Sequence, residues 1–178
     1  FDVLVWYWHP ADHIEERARA DMVAYPLWVE QRFIRATPGN IVDYRFIRRD
    51  IQRLTRILDV REIAYDRWSA TELVQDLQDQ DGVTMVEFGQ GYASMNAPAC
   101  ELERRVLGGL VALPDNPVLT WQASNVVVRM DPAGNIKPDK EKSRKRIDGI
   151  VALVMALGRA TVGANERSVY QERGIRTL

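Results

Sequence analysis

The chain has 178 residues, of which 46% are hydrophobic and 28% charged, and this is the composition of one globular domain with its own core. Its formal net charge of −1 excludes an overall field that would draw it to nucleic acid or to a membrane, and no apolar run reaches the roughly 18 residues of a membrane span. The single cysteine, Cys100, excludes an intrachain disulfide and fits a reducing compartment.

Strand-like and helical segments alternate along the chain. Because a strand opens the sequence abruptly, we expect further residues upstream. Hydrophobic period and turn residues predict, in the first half of the chain, a strand at 1–8, a helix over 12–31 broken at Pro26, a helix from Asp43 and a strand at 61–65. A helix over 69–80 follows, with a Ser69/Glu72 capping box, and then a strand at 83–88 and a helix over 95–113. The last predicted elements are a helical or mixed segment at 116–125, a hairpin of 126–130 with 135–137, and a helix from 139 to about 160. This alternation predicts an α/β sheet covered by helices.

The stretch KPDKEKSRKRIDGIVALVMALGRA, residues 137–160, joins a basic run to an apolar helix. Residues 137–146 contain six basic and two acidic side chains, a local charge of +4. Asp148 lies where the two halves meet, and on one continuous helix it would face Arg144 and Lys145 on one side and Val151 on the other. A carboxylate partly drawn into a core must be paired or metal-bound. A salt bridge to Arg144 or Lys145 and a metal ligand both remain open.

Asp66 is the second candidate carboxylate. It follows the predicted strand REIAY, and side chains at the carboxyl ends of strands point into the crevice where open α/β sheets bind ligands. Helix capping is the alternative, although Ser69 and Glu72 already supply a cap. Together with a third carboxylate from an early strand, Asp66 and Asp148 would form the oxygen-rich site that Mg²⁺ or Mn²⁺ prefers for phosphodiester hydrolysis.

Four other features give weaker signals. His9 and His13, the only histidines, are separated by a proline and lack a third ligand for zinc. Gly89-Gln90-Gly91 follows a predicted strand and fits either a phosphate-contacting loop or a tight turn. Asp131 fits the turn DPAGN better than a metal site. Trp68 is a core candidate that would otherwise line the cleft beside Asp66.

Several long motifs resemble one protein family. The motifs are AYDRWSA, FGQGYASMNAPACELER, NPVLTWQASNVVVRMDPAGNIKPDKEKS, RKRIDGIVALVMALGRA and TPGNIVDYRFI. Over about residues 1–160, in the same order, they are similar to the C-terminal nuclease domain of tailed-phage large terminases. The resemblance implies an RNase H-like α/β domain over 1–160, with a mixed central sheet flanked by helices on both faces, and a polar tail over 161–178. The family's first strand, which carries its first metal carboxylate, has no counterpart here.

The same resemblance implies an endonuclease that cuts concatemeric double-stranded DNA during genome packaging with two divalent cations, Mg²⁺ or Mn²⁺. Asp66 and Asp148 match the family's middle and last metal carboxylates. The implied partners are DNA, an N-terminal ATPase domain of the same protein, the portal protein and the small terminase subunit. The implied location is the procapsid portal in the host cytoplasm, without a membrane. The phosphate loop GxxxxGK[ST] of the ATPase motor does not occur in the chain.

The basic run is expected to contact DNA phosphates, and a solvated helix face is the alternative. Its members are Lys137, Lys140, Lys142, Arg144, Lys145 and Arg146. Phosphate contacts predict weak sequence preference. For Lys145, one turn before Asp148, a second possibility is that it points at the metal site and tunes it. Two other functions remain open: a non-catalytic module that grips DNA or docks within the packaging motor, and another RNase H-like nuclease such as a junction resolvase.

Overall fold

The computed structural model describes residues 1–66 and 71–166. In chain order the elements are β1 (Trp8–Pro10), a 3₁₀ turn (Ala11–His13), α1 (Ile14–Asp21), α2 (Tyr25–Glu30), β2 (Arg35–Thr37), α3 (Tyr44–Ile57), β3 (Ile63–Tyr65), α4 (Thr71–Asp79), β4 (Met85–Glu87), α5 (Tyr92–Leu107), α6 (Pro117–Asn125), β5 (Val128–Met130), β6 (Ile136–Pro138) and α7 (Asp148–Glu166). The predicted alternation of strands and helices is confirmed. None of the helices in these two ranges is both long and apolar enough to cross a lipid bilayer.

The strands form three short two-stranded sheets in the described part of the chain. Strands β1 and β2 pair in parallel, β3 and β4 pair in parallel, and β5 and β6 form the predicted antiparallel hairpin. The connection from β3 to β4 contains α4, because parallel neighbours need a crossover. The strand predicted at 1–8 is displaced: pairing begins at Trp8, and earlier in the segment Asp2 makes an isolated parallel bridge to Ala112.

Two predicted helix starts follow from local capping. Asp43 precedes α3 and accepts a hydrogen bond from the backbone N–H of Arg45 at 2.9 Å. Asn116 precedes α6 and accepts from the backbone N–H groups of Val118 and Leu119, each at 3.0 Å, with Pro117 in the first helical position. Both side chains satisfy N–H groups that a helix leaves free at its first turn.

Helix α7 is held between two packed regions. One core cluster joins it to α5 and contains Met95, Ile147, Val151, Val154 and Met155. The other cluster joins the first helices to α6 and contains Ile14, Tyr25, Trp28, Ile34 and Val118. Helix α6 also contacts α7, so the two clusters together fix the position of the helix that carries Asp148.

The helix predicted from Asp139 begins nine residues later, at Asp148. Asp139 is only 3% exposed, and its Oδ1 accepts the backbone N–H groups of Glu141 at 3.0 Å and Lys142 at 3.2 Å. The Ser143 hydroxyl donates to the Asp139 carbonyl at 2.6 Å. Such local bonds compete with helical ones, so the basic run forms a loop between β6 and α7. At its other end α7 continues to Glu166, and residues 167–178 of the predicted tail lie outside the described ranges.

Candidate active site

A cleft of about 890 Å³ lies between the end of β3 and the first turns of α7. Asp66, directly after β3, lines this cleft, and so does Asp148, the first residue of α7. Apolar side chains of α7, among them Val151 and Met155, also line it. The structure therefore brings the two carboxylates singled out in the sequence to one cavity, although a long stretch of chain separates them.

Asp148 is more exposed than the sequence suggested. Its side chain is 61% exposed, and its Oδ1 lies 3.3 Å from Nζ of Lys140. The expected partial burial is wrong, and so is the alternative of a salt bridge to Arg144 or Lys145, because the ion pair is made with Lys140. The physical reason is the helix start, because the residues before Asp148 do not form a helical turn beneath it. In the first turn of α7 its negative charge is favoured by the helix dipole.

The backbone immediately after Asp148 is clamped from two sides. The Gly149 N–H donates to Oε1 of Gln122, a buried side chain of α6. This bond supplies an acceptor that the apolar Ile147 cannot provide at the helix start. A Cβ added at Gly149 would lie 2.8 Å from that Oε1 and nearer still to the Tyr7 hydroxyl. Tyr7 and Gln122 thus fix the turn that presents Asp148.

Neither clamp residue was singled out from the sequence. Tyr7 lies in an aromatic segment that reads as a strand, and Gln122 lies in a helix where a polar residue is ordinary. Burial raises the pKa of Tyr7 to about 12. The role of Tyr7 and Gln122 becomes visible only in the folded structure, where both contact Gly149.

An ion pair links the start of β3 to α7 at the same cleft. Arg159 donates from Nη2 to Oε2 of Glu62 at 2.9 Å and from Nε to the other carboxylate oxygen. The hydrogen bond from Arg159 holds the pKa of Glu62 below its usual value. Glu62, which sequence reasoning missed, is therefore an ionised group held against Arg159. Arg159 itself was visible as the one basic residue in an apolar helix.

The loop Gly89-Gln90-Gly91 borders the cleft through Gln90. The Gln90 carbonyl accepts a hydrogen bond from Nζ of Lys137 at 3.1 Å. The same ammonium lies 5.3 Å from the centre of the Tyr92 ring. Lys137 is half-buried, and its contacts anchor this loop.

The basic residues predicted to meet DNA fall into two groups. Lys137 and Lys145 are half-buried, and Lys145 donates to the Ala20 carbonyl at 2.9 Å and lies 3.3 Å from Asp21 Oδ1. The second possibility for Lys145, that it points at the metal site, is therefore wrong, since Lys145 ties the loop to α1. The exposed members are Lys140, Lys142, Arg144 and Arg146.

Asp131 plays the predicted turn role. Its Oδ1 accepts the backbone N–H groups of Ala133 and Asn135, each at 2.9 Å. The side-chain amide of Asn135 donates to the other carboxylate oxygen, Oδ2, at 2.8 Å, and this bond lowers the pKa of Asp131 most. Trp68, expected in the core or beside Asp66, lies outside the described residues, as does Ser69 of the predicted capping box.

The carboxylate oxygens in the cleft are the type of ligand atom that a hard cation prefers. Asp66 and Asp148 offer carboxylate oxygens, which Mg²⁺ and Mn²⁺ prefer. In residues 1–66 and 71–166, however, no three His, Cys, Asp or Glu side chains come together closely enough to hold a metal ion. Two carboxylates supply fewer ligands than a pair of such ions requires, so further ligands would have to come from elsewhere.

Comparison with known proteins gives a family match over most of the chain. A family model described as the endonuclease domain of the terminase large subunit matches residues 8–164. The large terminase subunit of Enterobacteria phage HK97 is 40% identical over 169 residues, covering 94% of this chain and 33% of that protein. Protein YmfN of Escherichia coli K12 is 34% identical, covering 100% of this chain and 41% of that protein. The chain thus spans between a third and about two fifths of these relatives.

Solved structures agree with this match. The crystal structure of the HK97 large terminase superimposes with a TM-score of 0.82 at 41% identity, covering 89% of this chain and 33% of that one. The large terminase nuclease of thermophilic phage G20c superimposes with a TM-score of 0.52 at 15% identity, covering 68% of this chain and 64% of that one, and shows likeness of fold alone. A further structure of the G20c nuclease contains bound magnesium. The predicted RNase H-like α/β class is confirmed by these neighbours.

Proposed function

This chain belongs to the family of terminase large-subunit endonuclease domains, and on that premise we propose that it is a metal-dependent endonuclease that hydrolyses phosphodiester bonds of double-stranded DNA. The observation that carries the proposal is the shared cleft of Asp66 and Asp148. The chain spans a third of the HK97 protein, so the role of the whole protein is also part of the proposal. We propose that it cuts concatemeric DNA at the procapsid portal in the host cytoplasm. Its proposed partners are an ATPase domain of the same protein, the portal protein and the small terminase subunit.

We assign Asp66 and Asp148 to two divalent cations, Mg²⁺ or Mn²⁺, with a third carboxylate contributed from beyond the described residues. The bound magnesium of the G20c nuclease supports the choice of cation. When bound, such a pair of ions activates a water and stabilises the leaving oxygen. The chain's own contribution is to hold the carboxylates in place. Asp66 is presented by the end of β3, and Asp148 by the clamped first turn of α7.

DNA contact is assigned to the loop between β6 and α7. Its exposed members Lys140, Lys142, Arg144 and Arg146 would neutralise backbone phosphates as the duplex enters the cleft. Lys137 and Lys145 would act indirectly, because they anchor the Gln90 loop and α1. Contacts of this kind position a duplex without reading its sequence, so cleavage should show little sequence preference.

The proposal is tested by nicking and linearisation of supercoiled plasmid in Mn²⁺. The proteins compared are this chain and a form extended upstream of Phe1, each as wild type, Asp66→Asn and Asp148→Asn. Asp12→Asn is the matched control, since Asp12 is exposed and lies in the 3₁₀ turn rather than in the cleft. We expect both cleft substitutions to reduce cleavage to background and the control to leave it unchanged. Full cleavage by Asp148→Asn would remove that residue from the mechanism.

The second candidate is a module that grips DNA, or docks within the packaging motor, without cutting. It is favoured by one observation: in the described ranges no three acidic, His or Cys side chains are grouped so that they could hold a metal ion, although Glu62 lines the same cleft. Duplex binding by the upstream-extended form without any cleavage, at all Mn²⁺ and Mg²⁺ concentrations, would select this function. Membership of the terminase family gives no support to a junction resolvase.

A further inference from the structure

Helix α3 has an exposed face made of arginines. Successive spacings of four, four and three residues place them in one line on the helix, over about 16 Å along its axis. The members of this arginine face are Arg45, Arg49, Arg53 and Arg56, and all four are exposed. The opposite side of the helix carries half-buried Ile47, Ile51 and Leu54.

The arginine face is only partly neutralised within the described residues. Arg45 forms a close pair with Asp43, Nη2 to Oδ2 at 2.8 Å. Arg53 lies 3.6 Å from Asp50, but that buried carboxylate already accepts from the Trp8 indole and pairs with Arg35.

The remaining two arginines keep their charge exposed. Arg49 lies over the ring of Phe46, 4.3 Å from its centre, and this contact orients the guanidinium without cancelling it. Arg56 has no carboxylate partner in the described part of the chain. A concentrated positive surface therefore remains on a protein whose net charge is −1.

Arg48 of the same helix, unlike the arginine face, has a structural role. Its side chain reaches α4 and the turn that follows. Its guanidinium donates to Asp81 at 2.7 Å and to Asp76 at 2.9 Å, and its side chain is 21% exposed. Holding α3 against α4 thus uses Arg48, which leaves the arginine face without a structural task in this contact.

We propose that the arginine face of α3 binds the sugar-phosphate backbone of duplex DNA, as a second contact surface outside the catalytic cleft. None of its four residues lines that cleft. Guanidinium groups match phosphate oxygens in geometry and charge, and a helix places one such group about every 6 Å along its axis. The identification of the polyanion as DNA rests on the proposed function.

The composition of the surface favours a polyphosphate over an acidic protein. Protein–protein interfaces also use arginine, but as an anchor among aromatic and apolar side chains in a centre that is otherwise depleted in charge. Beside the arginine face the apolar side chains are half-buried Phe46, already covered by Arg49, and exposed Ile57 at the end of α3. A second grip of this kind would hold the duplex in a fixed direction across the domain without reading its sequence.

The experiment is fluorescence anisotropy with a 30-base-pair duplex in EDTA, over a series of salt concentrations. Without divalent cations no cleavage takes place, so binding is measured alone. The triple variant Arg49→Gln/Arg53→Gln/Arg56→Gln is compared with Arg17→Gln/Arg19→Gln/Arg104→Gln, which removes the same charge from exposed positions elsewhere. We expect the α3 variant to lower the slope of log K against log salt by about 2 to 3 and to weaken binding at least about tenfold near 0.1 M salt.

Equal slopes and affinities for the two triple variants would overturn the proposal and leave an acidic protein as the partner of this face. The single variant Arg56→Glu guards against misfolding, because Arg56 is exposed and a change there perturbs no contact seen in the described residues. It should weaken binding, and unchanged binding by a folded Arg56→Glu would likewise count against the proposal. Asp12→Asn lies outside both the cleft and the arginine face and should bind duplex like the wild type. Because binding is measured in EDTA and cleavage in Mn²⁺, failure of this proposal and failure of the nuclease assignment are separate results.

Discussion

The ammonium of Lys140 lies 3.3 Å from the carboxylate of Asp148, and both side chains line the cleft that contains Asp66. Lys140 lies in the loop after β6, whereas Asp148 begins α7. Both side chains are substantially exposed, at 46% and 61%, and an exposed pair of this kind contributes at most about 1 kcal/mol. A divalent cation can therefore compete with Lys140 for Asp148.

Removing the Lys140 charge should strengthen cation binding. In Lys140→Met the positive charge that repels an incoming cation is absent from the neighbourhood of Asp148. The cation also no longer has to displace the Lys140 ammonium from the Asp148 carboxylate. We expect Mn²⁺ to bind roughly two- to fivefold more tightly in the absence of DNA, corresponding to about 1 kcal/mol or less. Titration of free Mn²⁺ followed by electron paramagnetic resonance measures this directly.

Lys142→Met is the control for that titration, because Lys142 is exposed in the same loop and does not line the cleft. It should leave the Mn²⁺ affinity unchanged. Equal affinities for wild type and Lys140→Met, or weaker binding by Lys140→Met, would show that Asp148 does not take up the cation.

A methyl group at Gly149 should be costly. It would meet Oε1 of Gln122 at 2.8 Å and press on the Tyr7 hydroxyl. Overpacking of this kind costs about 1 to 3 kcal/mol, and we expect Gly149→Ala to lower the free energy of unfolding by that amount in urea denaturation. Adding Tyr7→Phe removes the hydroxyl and should recover part of the loss.

Gly91→Ala is the matched control for this prediction. Gly91 precedes α5 with extended backbone angles, and a Cβ there meets nothing within 4 Å. Gly91 is the N-cap of α5, where Ala is less favourable than Gly, so Gly91→Ala should lower stability by roughly 0.5 kcal/mol without any steric cost. If Gly149→Ala were as mild as Gly91→Ala, the clamp on the first turn of α7 would not exist in solution.

The ion pair of Glu62 and Arg159 should make stability depend on pH. The pKa of Glu62 is held below its ordinary value of 4.5, chiefly by the hydrogen bond from Arg159. A depressed folded-state pKa stabilises the protein above the unfolded-state value, and this stabilisation is lost as pH falls through the folded-state value. Arg159→Met should therefore cost about 1 kcal/mol at pH 7 and less at pH 3.

Urea denaturation of wild type and Arg159→Met at both pH values measures this difference. The comparison between the two proteins cancels the acid sensitivity that all other carboxylates share. A cost that is the same at pH 7 and pH 3 would mean that Arg159 stabilises α7 through packing alone and not through the Glu62 carboxylate.

Lys145 and Lys142 should separate structural from DNA-contacting lysines. Lys145 is tied to α1 by the Ala20 carbonyl and Asp21, whereas Lys142 is exposed. We expect Lys145→Met to lower the free energy of unfolding by about 1 kcal/mol, and Lys142→Met to reduce duplex affinity without a loss of stability. Thermal denaturation and fluorescence anisotropy on both variants measure these effects. A loss of stability in Lys142→Met, together with a loss of duplex affinity but not of stability in Lys145→Met, would contradict the prediction.

The sequence was informative wherever a local rule decides the structure. Asp43 and Asn116 cap helices at the predicted starts, and the DPAGN turn is closed by Asp131 as expected. The placement of Asp66 after a strand also followed from local pattern. In each case the partner groups lie within a few residues, so neighbouring residue types are sufficient evidence.

The sequence was misleading where tertiary contacts decide. The run before Asp148 has helical composition, yet the buried Asp139 caps its own loop and delays the helix. Lys145 finds its partner 124 positions away, at Asp21. The significance of Gly149 depends on an approach by α6, which no spacing in the sequence reveals.

The central claim, that Asp66 and Asp148 hold the same pair of divalent cations, is tested most directly by diffraction from crystals soaked in Mn²⁺. We predict anomalous density in the cleft for two ions about 4 Å apart, with oxygens of both aspartates about 2.2 Å from manganese. Density beside only one of the two aspartates would contradict the assignment. So would carboxylates more than roughly 10 Å apart, because two ions about 4 Å apart could not contact both.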